Sequence, residues 1–262
     1  MMLVKNTQHR RVGNSNKGRK IYLHKMLFAT VNNEKVEATP KTKGNCQLCE
    51  RDVISKCGEV NIWHWAHCKD ESCDSWYEPE TQWHKNWKLT FGKDNCEIVI
   101  SKDGIRHIAD IYTNESVVIE LQNSPIQKSI IHKREDFYGE RMIWIINGNP
   151  FKDNFSYNRS RSVQLDEEEE YYLRYNPLAN KNIQARKDEY NFSWSWYRRS
   201  WKNTKRQVFI DFGDENLFWV IEGMGTSSGI GKLISKEVFL KKYGGNIELL
   251  ATLIDKKNEQ TA

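Results

Sequence analysis

The sequence predicts a mixed α/β protein whose centre is a unit ordered helix, three strands, helix, strand, with a small β module before it and a β-rich region after it. Three observations predict this. An apolar stripe at helical spacing opens the unit, runs of strand-like residues separated by turn formers follow it, and five of the six cysteines fall between positions 46 and 73, ahead of it. The divisions are a basic stretch at 1–25, a β-hairpin plus Cys/His module at 26–75, the α/β unit at 76–150, and a β-rich accessory region at 151–262.

The elements are justified in order. Residues 1–25 carry Lys5, Arg10, Arg11, Lys17, Arg19, Lys20 and Lys25, and no acid precedes Glu34. Such a stretch suits phosphate neutralisation and equally suits simple solvation. Met26 to Val31, a turn at Asn32-Asn33 and a return through Val36-Glu37-Ala38 read as a hairpin. Glu78-Pro79-Glu80 suits a helix start, and Trp83, Trp87 and Phe91 then recur every four residues. Glu80 and His84 share another face of that expected helix. Cys96 to Ile100, Arg106 to Tyr112 and Val117 to Gln122 read as strands, split by Lys102-Asp103-Gly104 and by residues 113–116. Ile126 to Glu140 is polar and helix-like, and the wholly apolar Met142 to Ile146 reads as a buried strand. Beyond Pro150 the pattern gives an acidic run at 166–170, a Trp/Arg segment at 194–201, and a hairpin formed by 207–212 and 217–221.

Composition narrows the function. The formal net charge is +5 and the pI is about 8.7, a weak pointer to nucleic acid. No run of roughly 18 apolar residues occurs, so no membrane span is expected. The N-terminus lacks an apolar stretch ahead of a small-residue cleavage site, so a cytoplasmic protein is expected. Ten tryptophans suit either core packing or stacking on bases.

The cysteines point to metal. Cys46 and Cys49 form a C-x2-C knuckle, and His64 and His67 form H-x2-H further on. Two sulfurs and two imidazoles can close a tetrahedral zinc shell with a structural role, because four protein ligands leave no open position. Cys57, Cys68 and Cys73 lie close in sequence, and Cys57 or Cys68 in place of a histidine remains open.

Asp110 ends one predicted strand, and Glu120 and Gln122 sit two apart on the next, facing the same way. If the turn at 113–116 makes these strands antiparallel neighbours, Asp110 and Glu120 approach closely enough to hold Mg²⁺, and Glu80 adds a further carboxylate. Such a site would polarise a phosphodiester and activate water. The alternative is two acids on a solvated sheet face.

Taken together, the ordered motifs resemble the competence protein CoiA-like family of bacterial proteins. The resemblance rests on Cys46-Gln47-Leu48-Cys49 with Lys56-Cys57-Gly58 and His64-Trp65-Ala66-His67; on the segment from Glu80 to Lys88; on His107-Ile108-Ala109-Asp110 with Val118 to Ser124; and on Arg134 to Tyr138 leading to Trp144. It covers roughly residues 26–148. It implies a restriction-endonuclease-like core of the PD-(D/E)xK type, in which Asp110 and Glu120 bind the catalytic metal, Glu80 and His84 lie on the first core helix, and Gln122 takes the place of the usual lysine. Gln122 cannot act as a cation, so Lys128, Lys133 or Arg134 is expected to supply the charge.

The function expected is therefore a metal-dependent nuclease that hydrolyses DNA. Its catalytic residues would be Asp110, Glu120, Gln122, Glu80 and His84. Mg²⁺, or Mn²⁺ in its place, would sit on Asp110 and Glu120, and structural Zn²⁺ on Cys46, Cys49, His64 and His67. Lys128, Arg134, Arg198 and Arg199 would contact DNA in uptake, recombination or defence. The alternatives are a non-catalytic DNA-binding recombination accessory protein and a purely zinc-dependent interaction module. Oligomeric state is open, with a homodimer as one expectation.

Overall fold

The small sheet comprises β1 (Lys25–Met26), β2 (Phe28–Val31), β3 (Glu34–Glu37), β4 (Lys43–Asn45), β5 (Asp52–Lys56) and β6 (His64–His67). The strands lie in the order β1-β6-β5-β4-β2-β3, every pair antiparallel. The computed structural model describes residues 25–59, 62–68, 73–76, 78–159, 171, 175–176 and 188–260. The basic stretch through residue 24 and the acidic run at 166–170 lie outside the described residues. The expected hairpin is β2 and β3. Its Asn32 and Asn33 have φ of 50° and 65°, the left-handed pair that a two-residue hairpin turn requires and that asparagine tolerates.

The large sheet comprises β7 (Cys96–Lys102), β8 (Ile105–Tyr112), β9 (Val118–Gln122), β10 (Met142–Asn147), β11 (Phe155–Arg159), β12 (Glu189–Trp194), β13 (Gln207–Asp211), β14 (Asn216–Glu222) and β15 (Ser228–Ser235). Their order is β11-β12-β15-β14-β13-β10-β9-β8-β7. Helices whose ends lie among the described residues are α1 (Gln82–Thr90), α2 (Lys128–Tyr138), α3 (Lys236–Tyr243) and α4 (Ile247–Gln260). From α1 to β10 the elements run helix, three strands, helix, strand. β9, β10 and β13 are parallel neighbours, and α2 makes the crossover between the first two. The sheet does not stop at residue 150: β13 joins β10 directly, so the division drawn there falls inside one continuous sheet.

Alternation along the central strands builds two cores. Val118, Met142, Trp144, Ile146, Val208 and Ile210 face one side with Ile131 of α2. Ile119, Leu121, Ile143, Ile145 and Phe209 face the other, against Trp87 of α1, Phe239 and Leu240 of α3, and Leu250 of α4. Trp87 and Trp144 are fully buried, each contributing on the order of 2–3 kcal/mol by burial. Trp65, Trp194 and Trp201 are likewise core residues, whereas Trp196 is 77% exposed.

The expected helix from Glu78 begins later. Thr81 caps α1: its hydroxyl accepts from the His84 amide, and His84 Nδ1 accepts from the Thr81 amide, so the two residues form a reciprocal capping box. Glu80 therefore precedes the helix and shares no helical face with His84. Among the described residues, no helix is long and apolar enough to cross a membrane.

Candidate functional site

In the small sheet, Cys46, Cys49, His67 and Cys73 bring one donor atom each to within 4.8 Å of one another. Cys46 Sγ and Cys73 Sγ are 3.6 Å apart, His67 Nε2 and Cys73 Sγ 3.2 Å, and Cys49 Sγ and His67 Nε2 4.0 Å. A zinc ion with ligands at about 2.0–2.3 Å separates its donors by roughly 3.3–3.8 Å, so these four could hold a metal such as zinc. The Cys73 contact pulls the Cys46 thiol down to about 5, and the same contact pushes Cys73 up.

His64 is not part of this cluster, which corrects the expected ligand set. Both histidines lie on β6. Residues three apart on a strand point to opposite faces, whereas on a helix they would converge. His64 instead donates through Nδ1 to the Ile62 carbonyl at 2.8 Å. Cys73 takes its place. Cys68 is exposed, and Cys57 packs against the small core.

The carboxylate centre lies where the large sheet opens. β8 and β9 pair through Tyr112–Val118 and Ile111–Ile119, and their pairing stops just before Asp110 and Glu120. On the other side, β7 pairs Cys96 with Ile111 and Ile98 with Ala109, and Glu97 stands opposite Asp110 without joining the ladder, its φ at +47°. Carboxylates take over the vacated backbone bonds. Asp110 Oδ2 accepts from the Leu121 amide at 2.9 Å, and Glu120 Oε1 from the Asp110 amide at 3.4 Å. Glu97 accepts from the Leu27 and Phe28 amides at 2.9 Å each, which ties the small sheet to the large one.

Two buried cations face these acids. Lys88 Nζ of α1 lies 2.7 Å from Glu80 Oε2, 3.0 Å from Glu97 Oε1 and 3.1 Å from Asp110 Oδ1. Arg134 of α2 pairs with Glu120 at 2.7 Å, and its other nitrogen donates to the Trp76 carbonyl. All line a cavity of about 50 Å³, together with Asp74, Glu78 and His84. Asp74 is paired with His107 at 2.9 Å, and His107 stacks on Trp76. Three buried atoms of cavity-lining residues have no hydrogen-bond partner, Glu80 Oε1, Arg134 Nε and His84 Nε2, the last 3.8 Å from Glu78 Oε2.

The charges settle unevenly. Burial opposes ionisation of Asp110, but Lys88 and His84 outweigh it and hold the carboxyl below its ordinary value. At Glu120 burial wins over Arg134 and pushes the carboxyl up to about 8. Burial likewise raises Glu80 against the pull of Lys88. Burial also opposes the charge on Lys88, yet Glu80, Glu97 and Asp110 hold it well above the ordinary lysine value. Glu120 and Glu80 are thus harder to ionise than ordinary carboxyls, and Asp110 is easier.

The other expected residues fall as follows. Gln122 is buried, donates to the Ser124 carbonyl at 3.0 Å and does not line the cavity. Lys128 is exposed at the start of α2, and Lys133 is also exposed. Arg134 is buried against Glu120, so it serves the centre rather than an outside phosphate. Arg198 lies over the Phe151 ring at 4.7 Å with a buried Nη1 that has no partner, and Arg199 is exposed. The residues missed in sequence are Lys88 and Glu97. Lys88 stands four after His84 on the same helix. Glu97 interrupts an apolar run, the same signal that singled out Asp110 and Glu120.

The family model of the competence protein CoiA N-terminal domain matches residues 29–75, which include all four clustered Cys/His donors. That of the competence protein CoiA nuclease-like domain matches residues 82–211, from α1 through β13. No curated protein and no solved structure matches the chain.

Proposed function

The chain belongs to the competence protein CoiA family, and from that premise we propose that it is a metal-dependent nuclease hydrolysing DNA phosphodiester bonds on a restriction-endonuclease-like core. The observation that carries this reading is the opened end of β8 and β9. It places Asp110 and Glu120 in one cavity with two orphaned donors, Glu80 Oε1 and His84 Nε2.

Hard carboxylate oxygens converging on one cavity fit Mg²⁺ or Mn²⁺. Asp110 and Glu120 would hold the ion, with Glu80 and His84 at its side. Bound there, it would supply Lewis-acid charge to a scissile phosphodiester and to the attacking water. The chain's own residues do the rest. Lys88 keeps Asp110 ionised and fixes its Oδ1, while the Leu121 amide fixes Oδ2. Arg134 orients Glu120 from the α2 side. Asp110, with its side chain 22% exposed, is the acid that substrate can reach, whereas Glu80, Glu97 and Glu120 are almost wholly enclosed. The positive charge that Gln122 cannot carry, expected from Lys128, Lys133 or Arg134, would come from Arg134 on α2 and from Lys88 on α1. Zinc on Cys46, Cys49, His67 and Cys73 would be structural, since four protein donors leave no open position. Lys128, Arg198 and Arg199 are the proposed phosphate contacts.

The test is cleavage of linear, circular, single-stranded and branched DNA with Mg²⁺ or Mn²⁺, by wild type and Asp110→Ala. The variant is expected to lose on the order of a thousandfold in rate while still binding DNA. Cleavage that persists in Asp110→Ala, or no cleavage of any substrate by wild type, defeats the reading.

A further inference from the structure

The Lys88 ammonium is placed as a metal ion would be. Its nitrogen contacts carboxylate oxygens from three separate elements of the chain: Glu80 before α1, Glu97 on β7 and Asp110 on β8. Lys88 and Glu80 have side chains only 3% and 4% exposed, and Glu80 Oε1 is turned inward without a partner. A surface ion pair needs one acid, and three acids converging on one buried nitrogen are a coordination cage. Around the centre, four carboxylates (Glu80, Glu97, Asp110 and Glu120) face two fixed cations, Lys88 and Arg134. Asp74 and Glu78 line the same cavity beside His107 and His84.

We infer that Lys88 stands in for a second divalent cation: Glu80, Glu97 and Asp110 form a cation position filled from within the chain, so the nuclease centre takes one exchangeable metal ion. This rests on the reading of Asp110 and Glu120 as the site of that ion. The built-in charge has two consequences. At the carboxylate centre a chelator removes only the ion at Asp110 and Glu120, while the Lys88 ammonium stays in place among Glu80, Glu97 and Asp110. The cage is also close to metal dimensions. Nitrogen–oxygen distances of 2.7–3.1 Å need to shrink by about 0.7 Å to suit Mn²⁺.

The experiment is Mn²⁺ binding to full-length wild type and Lys88→Ala, both with the Cys/His cluster saturated with zinc, followed by equilibrium dialysis and by melting temperature. Lys88→Ala is expected to bind one more Mn²⁺ per chain than wild type, and its melting temperature should rise by several degrees more on Mn²⁺ addition. Adding Asp110→Ala to the variant should abolish the gain. A Lys88→Ala chain that folds only with Mn²⁺ supports the inference in the same way. If it folds in neither buffer, Lys88→Met is measured instead, since it fills the space of the lysine stem and leaves all three carboxylates in place. A folded variant of either kind that binds no more Mn²⁺ than wild type overturns the inference, as does a wild type that binds two at this centre. A wild type that binds none, beside a variant that binds one, upholds the Lys88 position and defeats the metal reading of Asp110 and Glu120.

Discussion

In the small sheet the donors of Cys46, Cys49, His67 and Cys73 converge on one another; in the large sheet Asp110, Glu120, Glu80 and Glu97 converge on Lys88 and Arg134. The difference follows from what surrounds each set. The small core has few apolar side chains, chiefly Met26, Leu48, Val53 and Trp65 with three alanine or cysteine positions, while the large sheet is packed on both faces by rows of Ile, Val, Phe and Trp. A thin core gains most from a metal that crosslinks its loops. A thick core can enclose charges, provided each is compensated. The donors of the first region are therefore expected to make its fold, and the acids of the second to be held by a fold that exists without them.

The largest effect that can break this comparison is loss of a thiolate. Cys46→Ser and Cys73→Ser should each release the zinc and remove stabilisation on the order of 10 kcal/mol from the small sheet. Amide exchange in β4, β5 and β6 should then approach the unprotected rate, while β9, β10 and β13 stay protected. His64→Gln should keep one zinc per chain. Zinc retained by Cys73→Ser but lost from His64→Gln would reverse the assignment of the cluster.

A smaller effect sharpens how separate the two regions are, because Glu97 belongs to both. Its carboxylate accepts from the Leu27 and Phe28 amides of the small sheet and from Lys88 of the centre. In Glu97→Gln one acceptor becomes an NH₂ group, so either an amide or the ammonium loses its partner. Breaking a buried pair of this kind costs about 3 kcal/mol. Denaturant unfolding should show that loss, with exchange at Leu27 and Phe28 rising alongside it. A change under about 0.5 kcal/mol would mean the two regions are energetically independent.

The same contrast explains what the sequence allowed. The strands of the central unit, the turn at Asn32-Asn33 and the hairpin of β13 and β14 were legible because apolar periodicity and turn residues are local signals. Asp110 and Glu120 were legible because charges interrupting apolar strands are costly without compensation. The compensating partners were not. Lys88 meets Asp110 across 22 positions of sequence, and its helix is held on the sheet by the burial of Trp87 and by hydrogen bonds from Trp83 and Trp87 to Asp211, 124 or more residues away. The cluster failed at one residue for a different reason: H-x2-H says nothing about whether the segment is strand or helix, and β6 turns His64 away from His67. Thr81 shows the reverse case: it caps the helix from within the local sequence, while Pro79 beside Glu78 and Glu80 suggests a start a few residues earlier.

The smallest expected effect concerns His64 itself. Burial holds its imidazole below the ordinary value of 6.5, with Lys25 and Lys56 acting in the same direction, although the Ile62 carbonyl favours the charged form. The sign follows from linkage. Below pH 6.5 the unfolded chain takes up a proton that the folded imidazole resists, so the stability His64 contributes is present above pH 6.5 and is lost as pH falls toward the folded value. Gln at this position can still donate to the Ile62 carbonyl, but it does not titrate. With zinc saturating in both proteins, wild type should lose more melting temperature between pH 7.5 and pH 5.5 than His64→Gln does, because the thiolate ligands respond alike in the two. Identical slopes would mean that His64 is protonated as easily folded as unfolded, and its burial behind β6 would then need another explanation than a neutral, hydrogen-bonded core imidazole.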